Sequence, residues 1–156
     1  MKENRKRALI FLTVFLIFLI DSPNSLAKSK EKFLSLKNNE VNLRIGPSFE
    51  YPIKLIYKKK YLPVTILDTS ETWRQIKDFK SNSGWIHVSQ LSNKKSGINI
   101  NAQTLIYTKP TIYSKPIAKV EVGRLLLISK CKIKWCKIKS GKFKGWVLKK
   151  NFWGPK

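Results

Sequence analysis

From residue 33 onward the chain is written in short apolar runs separated by polar breaks, and no stretch of useful length keeps a helical period. Residues 33–36 predict a first strand, ended by the turn formers at 37–40. Residues 41–44 predict a second, which runs into the turn signal Gly46-Pro47-Ser48 and a loop carrying two exposed-looking aromatics, Phe49 and Tyr51. Alternation over 53–57 predicts a third strand, with the lysines at 58–60 as a hairpin tip. Strands at 61–67, 73–79 and 84–88 follow, and 89–91 reads as one tight turn ending on a core leucine.

The pattern then repeats. Leu43, Trp73 and Trp85 are echoed by Leu105, Trp135 and Trp146, at spacings of 62, 62 and 61 residues. Residues 98–100 echo 34–36, 104–107 echo 42–45, and 134–139 and 143–148 echo the Trp73 and Gly84 strands. Phe152 stands where Leu91 stood. The polar, basic segment 93–97 is read as a linker between a unit at 33–92 and a unit at 98–153. Short strands with frequent turn signals predict a sandwich or barrel. A unit of about sixty residues is marginal by itself, so the two units are expected to pack together or to be stapled.

The opening segment reads as an address. Lys2, Arg5, Lys6 and Arg7 precede an apolar run over 8–20, a break at Asp21-Ser22-Pro23, and the small residues Ser25 and Ala27 at cleavage spacing. This order predicts a secretory signal peptide over 1–27, cut after Ala27, followed by a charged, mobile start at 28–32. The run is shorter than the about 20 apolar residues of a membrane span; retention as an uncleaved anchor is the alternative. The expected location is outside the cytoplasm, in the periplasm or cell envelope, with no transmembrane span after cleavage.

Charge narrows the partners. The chain carries a formal net charge of +23, of which four basic and two acidic side chains lie in the signal segment, leaving about +21. Such a charge attracts anionic partners and is weakened by salt. Cell-wall carboxylates, lipid phosphates, acidic proteins and nucleic acid all qualify, although export argues against nucleic acid; a general lysine bias of composition is the plainer account. The lysines at 130–144, with Trp135, Phe143, Trp146 and Trp153 nearby, suit an anionic polymer, or are simply solvated strand faces.

Cys131 and Cys136 are the only cysteines. In an exported chain an even count favours a disulfide, here across a hairpin turn formed by 132–135. Zinc would need two further ligands that the sequence does not offer, and a redox pair usually has two intervening residues rather than four. No catalytic elbow, metalloprotease helix signature, phosphate loop or carboxylate cluster is present. With one histidine and paired cysteines there is no Cys–His nucleophile. The chain is therefore expected to be no enzyme and to hold no cofactor or metal.

The residues Val41-Asn42-Leu43-Arg44-Ile45-Gly46-Pro47, with Tyr51-Pro52-Ile53, Leu62-Pro63-Val64, Trp73 and Gly84-Trp85-Ile86-His87, resemble bacterial SH3 domains (SH3b). The resemblance is strong over 33–91 and weaker over 98–152, where Thr104 and Ile106 are read in place of the family's Asn and Arg, and Lys109-Pro110 in place of Gly-Pro. It implies an all-β fold with two SH3-like small barrels in tandem. It also implies attachment to peptidoglycan or its peptide stems, as family members commonly show. The family's binding surface, carried over, points to Asn42, Arg44, Tyr51, Trp73 and His87; Trp135 is the matching indole of the second unit.

For each of these a plainer role stands beside binding. Trp73 and Trp135 line a groove half exposed, or seal a barrel end. Arg44 grips a ligand carboxylate, or clamps the carbonyls of its own turn. His87 is an exposed solitary histidine unless a partner is found. Two functions are expected: a non-catalytic adaptor holding peptidoglycan or another anionic envelope polymer, or a docking module that binds an extended peptide of an envelope protein.

Overall fold

In β2 (Val41–Arg44), Val41 and Leu43 are buried while Asn42 and Arg44 stand on the opposite face, the period-two signature of a half-buried strand. The computed structural model describes residues 31–156, which form one compact unit. The signal peptide expected at 1–27 and most of the expected mobile start lie outside the described residues.

The first repeat runs β1 (Phe33–Leu36), β2, β3 (Ile53–Tyr57), β4 (Pro63–Ser70), β5 (Trp73–Lys77), β6 (Ser83–His87), a 3-10 turn at Val88–Gln90, and β7 (Leu91–Ser92). The second runs β8 (Ser96–Asn99), β9 (Thr104–Tyr107), β10 (Pro116–Val120), β11 (Leu125–Cys131), β12 (Trp135–Ser140), β13 (Phe143–Leu148), a 3-10 turn at Lys149–Asn151, and β14 (Phe152–Trp153). Strand order is β3-β2-β6-β5-β4-β1-β7 in one sheet and β10-β9-β13-β12-β11-β8-β14 in the other. The two orders are one order, as a duplicated unit requires. The fold is all-β, two SH3-like barrels in tandem. Leu36, Leu43, Val64, Ile76 and Ile86 fill the first barrel; Ile106, Leu126, Ile138, Val147 and Phe152 fill the second. Each such side chain contributes about 1.5–3 kcal/mol through burial.

One register differs from the sequence expectation. Arg44 pairs with Trp85, and Tyr107 pairs with Trp146. Tyr107, not Ile106, therefore stands in the place of Arg44, Leu105 in that of Asn42, and Ile106 in that of Leu43. Sequence spacing aligned Leu43 with Leu105 because both are leucines. A shift of one residue exchanges the two faces of a strand, and Ile106 is the buried one, 1% exposed.

The junction is shorter than expected. Ser96 and Gly97, read as linker, begin β8. Gly97 is small because the Phe152 ring lies on it: a Cβ there would stand 2.5 Å from Phe152 Cδ2. The repeats touch along this strand. Ile98 packs into the first barrel's core, Ser96 Oγ donates to the Tyr61 carbonyl at 2.6 Å, and the Phe33 and Trp153 rings meet edge-to-face at 5.1 Å.

Polar groups close several loops. Asp78, buried, accepts from the backbone N–H groups of Lys80 and Asn82 at 2.8 and 2.9 Å, from Asn82 Nδ2 at 2.8 Å, and from Tyr57 OH at 3.1 Å. Burial, reinforced by the Asp78 carboxylate, pushes the Tyr57 phenol well above its ordinary pKa.

Cys131 and Cys136 are directly opposite in the β11–β12 ladder and form a disulfide, with Cα atoms 4.0 Å apart. The turn inside it is closed by the Lys132 N–H donating to the Trp135 carbonyl at 2.7 Å. So short a loop constrains the unfolded chain weakly. Replacing both cysteines with serine should lower stability by only about 2 kcal/mol, read as a shift of the urea midpoint. Complete unfolding of that variant in buffer would contradict this.

Candidate binding groove of the first repeat

The site is built where β5 begins and β6 ends, beside the loop that leaves β2. Trp73 and His87 are direct cross-strand partners, and their rings meet at 5.3 Å. The loop of residues 45–52 then folds back across them. Its Phe49 ring lies 4.9 Å from Trp73, edge-to-face, and 5.3 Å from His87. Such ring pairs add about 0.5–1.5 kcal/mol beyond the area they bury.

Arg44 holds the loop in this pose. Its Nη1 donates to the Tyr51 carbonyl at 2.6 Å, and its guanidinium stands 5.8 Å from the Phe49 ring centroid. Of its two expected roles, the structure carries the clamp on its own turn. His87 is not solitary. Its Nδ1 lies 2.8 Å from Ser89 Oγ and accepts the Ser89 backbone N–H at 3.4 Å, so it caps the 3-10 turn while stacking in the cluster.

The structure brings Arg44, Trp73 and His87 together, with Tyr51 held through its backbone. It leaves Asn42 outside, two residues along the same face and opposite Ile56. Half-exposed indoles are not what is found: Trp73 is 7% and Trp135 9% exposed. Both seal their sheets, because neighbouring rings cover them. The ring that reaches solvent is Phe49, 61% exposed, joined by Tyr51. Sequence reasoning saw Phe49 as a loop aromatic and did not place it in the site; its proximity to Tyr51 was the available signal.

In the second repeat the same place is differently made. Tyr107, in the position of Arg44, lies edge-to-face on Trp135 at 5.5 Å. Ile112 stands at the loop position of Phe49, and Leu148 at that of His87. The guanidinium clamp and the imidazole are both missing. Among the described residues no group of three His, Cys, Asp or Glu side chains could hold a metal ion, and no helix is long and apolar enough to cross a membrane.

The family model described as "Bacterial SH3 domain" matches residues 37–93 and again 102–154. No curated protein matches the chain. Among solved structures, the chain is similar to NlpC2 from Trichomonas vaginalis, at 15% identity and a TM-score of 0.36, over 80% of this chain and 48% of that one. It is also similar to NlpC1 from Trichomonas vaginalis, at 15% identity and a TM-score of 0.37, over 82% and 47%. The chain thus spans about half the length of these two proteins.

Proposed function

The chain belongs to the bacterial SH3 domain family, and from that premise we propose that it is a non-catalytic, exported binding module that holds peptidoglycan or another anionic envelope polymer, chiefly through its first repeat. The observation that carries the reading is Phe49. A large apolar ring is kept mostly in water yet locked on Trp73 and His87 by the Arg44 clamp. An exposed ring fixed in one pose is a ready platform for a sugar face or a peptide, since little ordering entropy is lost on binding. The chain's net charge of +23 supplies the salt-sensitive part of the attraction.

Purified protein without its leader should co-sediment with isolated peptidoglycan. Phe49→Ala with Arg44→Ala should weaken retention by roughly tenfold, the effect expected when a central anchor residue is lost. Equal retention of the double variant would remove this site. Binding undiminished in about 0.5 M salt would remove the electrostatic contribution. Release of soluble muropeptides by the protein alone would overturn the non-catalytic reading.

A second reading is supported by the β3 edge. This strand ends its sheet and carries Ile53 and Ile56, 45% and 42% exposed. An extended peptide of an envelope protein would add there as a further strand. Capture of one stoichiometric protein, with no retention on peptidoglycan, would favour it.

A further inference from the structure

We propose that the end of the second repeat formed by loop 108–115 and the β11–β12 hairpin tip docks on an anionic lipid surface. Three apolar side chains stand out from that end. Tyr113 is 92%, Ile133 90% and Ile112 57% exposed. Among the described residues, none covers them. Lysines bracket both tips: Lys109 and Lys115 on the loop, and Lys130, Lys132 and Lys134 on the hairpin.

Both tips rise from one aromatic base. The loop leaves from Tyr107, whose ring lies 5.5 Å from Trp135 beside the hairpin turn. The ammonium groups of Lys130 and Lys132 both stand near the Trp146 ring, at 5.9 and 5.5 Å from its centroid, and Trp146 is the strand partner of Tyr107. The Cys131–Cys136 disulfide holds the turn that carries Ile133. The apolar tips and their cations are thus presented on a preformed frame.

The first repeat shows that the fold does not demand this chemistry. Counting from the paired residues Arg44 and Tyr107, the position of Tyr113 is Glu50 in the first repeat. Counting from Trp73 and Trp135, that of Ile133 is Glu71. Carboxylates at two loop tips have been exchanged for an aromatic and an aliphatic side chain. The second repeat keeps a single acidic side chain, Glu121, at the far end of β10 from the loop.

Lysines alone would suit a soluble polyanion. Apolar tips within a lysine collar suit an interface where headgroup phosphates face the cations and acyl chains take up the side chains between them. An anionic bilayer offers both at the depth of one side chain.

The test is sedimentation of the protein, without its leader, on vesicles of phosphatidylcholine alone or mixed with phosphatidylglycerol. Binding should be at least about tenfold tighter to the anionic vesicles. Tyr113→Ser with Ile133→Ser should weaken it about tenfold, while the thermal midpoint and peptidoglycan retention stay unchanged. In an Ile133→Trp variant, added anionic vesicles should shift the tip indole emission to the blue. Equal binding to neutral vesicles, unchanged binding of the double serine variant, or no emission shift would each overturn the proposal. Because peptidoglycan retention is read in parallel, failure here is distinguishable from failure of the first-repeat site.

Discussion

Replacing Asn99 with leucine is expected to lower stability by about 3 kcal/mol or more, the largest loss for any single polar side chain in the second barrel. Asn99 is fully buried on β8. Its Nδ2 donates to the carbonyls of Asn101, Val120 and Glu121, each at 2.9 Å, and its Oδ1 accepts the Thr104 hydroxyl at 2.7 Å. One amide thereby ties β8 to the start of β9 and the end of β10. Leucine has the same number of side-chain heavy atoms, with bulkier methyl ends, but none of these bonds. The Asn101 and Glu121 carbonyls keep only the longer bonds from the Thr104 and Arg124 N–H groups, both at 3.3 Å, and the Thr104 hydroxyl keeps the Asn101 carbonyl, so the loss is about 0.5–1.5 kcal/mol for each of the amide's bonds removed. Urea unfolding should show the midpoint fall with the slope unchanged. A loss under about 1 kcal/mol would mean that water replaces the amide and that Asn99 is no hub.

A comparable loss is expected for Gly145→Ala, by a steric route. A Cβ at Gly145 would lie 2.5 Å from the Tyr107 carbonyl oxygen and 2.6 Å from Ile106 Cγ2. Gly84 meets Arg44 and Leu43 in the same way in the first repeat, so this is a feature of the duplicated unit. The obstacle includes backbone of the neighbouring strand, which moves only by opening the β9–β13 contact. A cost of about 3 kcal/mol follows from overpacking of this kind. Gly123→Ala is the control. It has a φ of 80° and nothing within 4 Å of its added Cβ, so only backbone strain of about 1–2 kcal/mol applies. Equal losses for the two variants would show that the close strand approach is not what selects glycine at 145.

The first-repeat groove was partly legible before folding. Arg44, Trp73 and His87 came from the family resemblance, and all three meet in one cluster. Asn42 and Tyr51 were named on the same ground, but the first lies outside the cluster and the second enters through its carbonyl. Phe49 was missed as a site residue because a loop aromatic says nothing of where its loop folds. Tyr107 is hidden from the sequence because the leucines at 43 and 105 set a false register in the second repeat. Gly97 reads as linker, since a glycine that admits a ring and a glycine that permits bending look alike in a string of letters.

The sequence by itself determined the class of fold, the duplication, the pairing of the two cysteines across a hairpin and the surplus of cations. These depend on periodicity, composition and short-range spacing, which survive in one dimension. Tertiary structure alone decided which residue of β9 faces inward, which aromatic meets solvent, and which lysines share an indole. Those outcomes rest on cross-strand partners and loop closures that join positions tens of residues apart, and a one-residue shift in such pairing turns an inner side chain into an outer one.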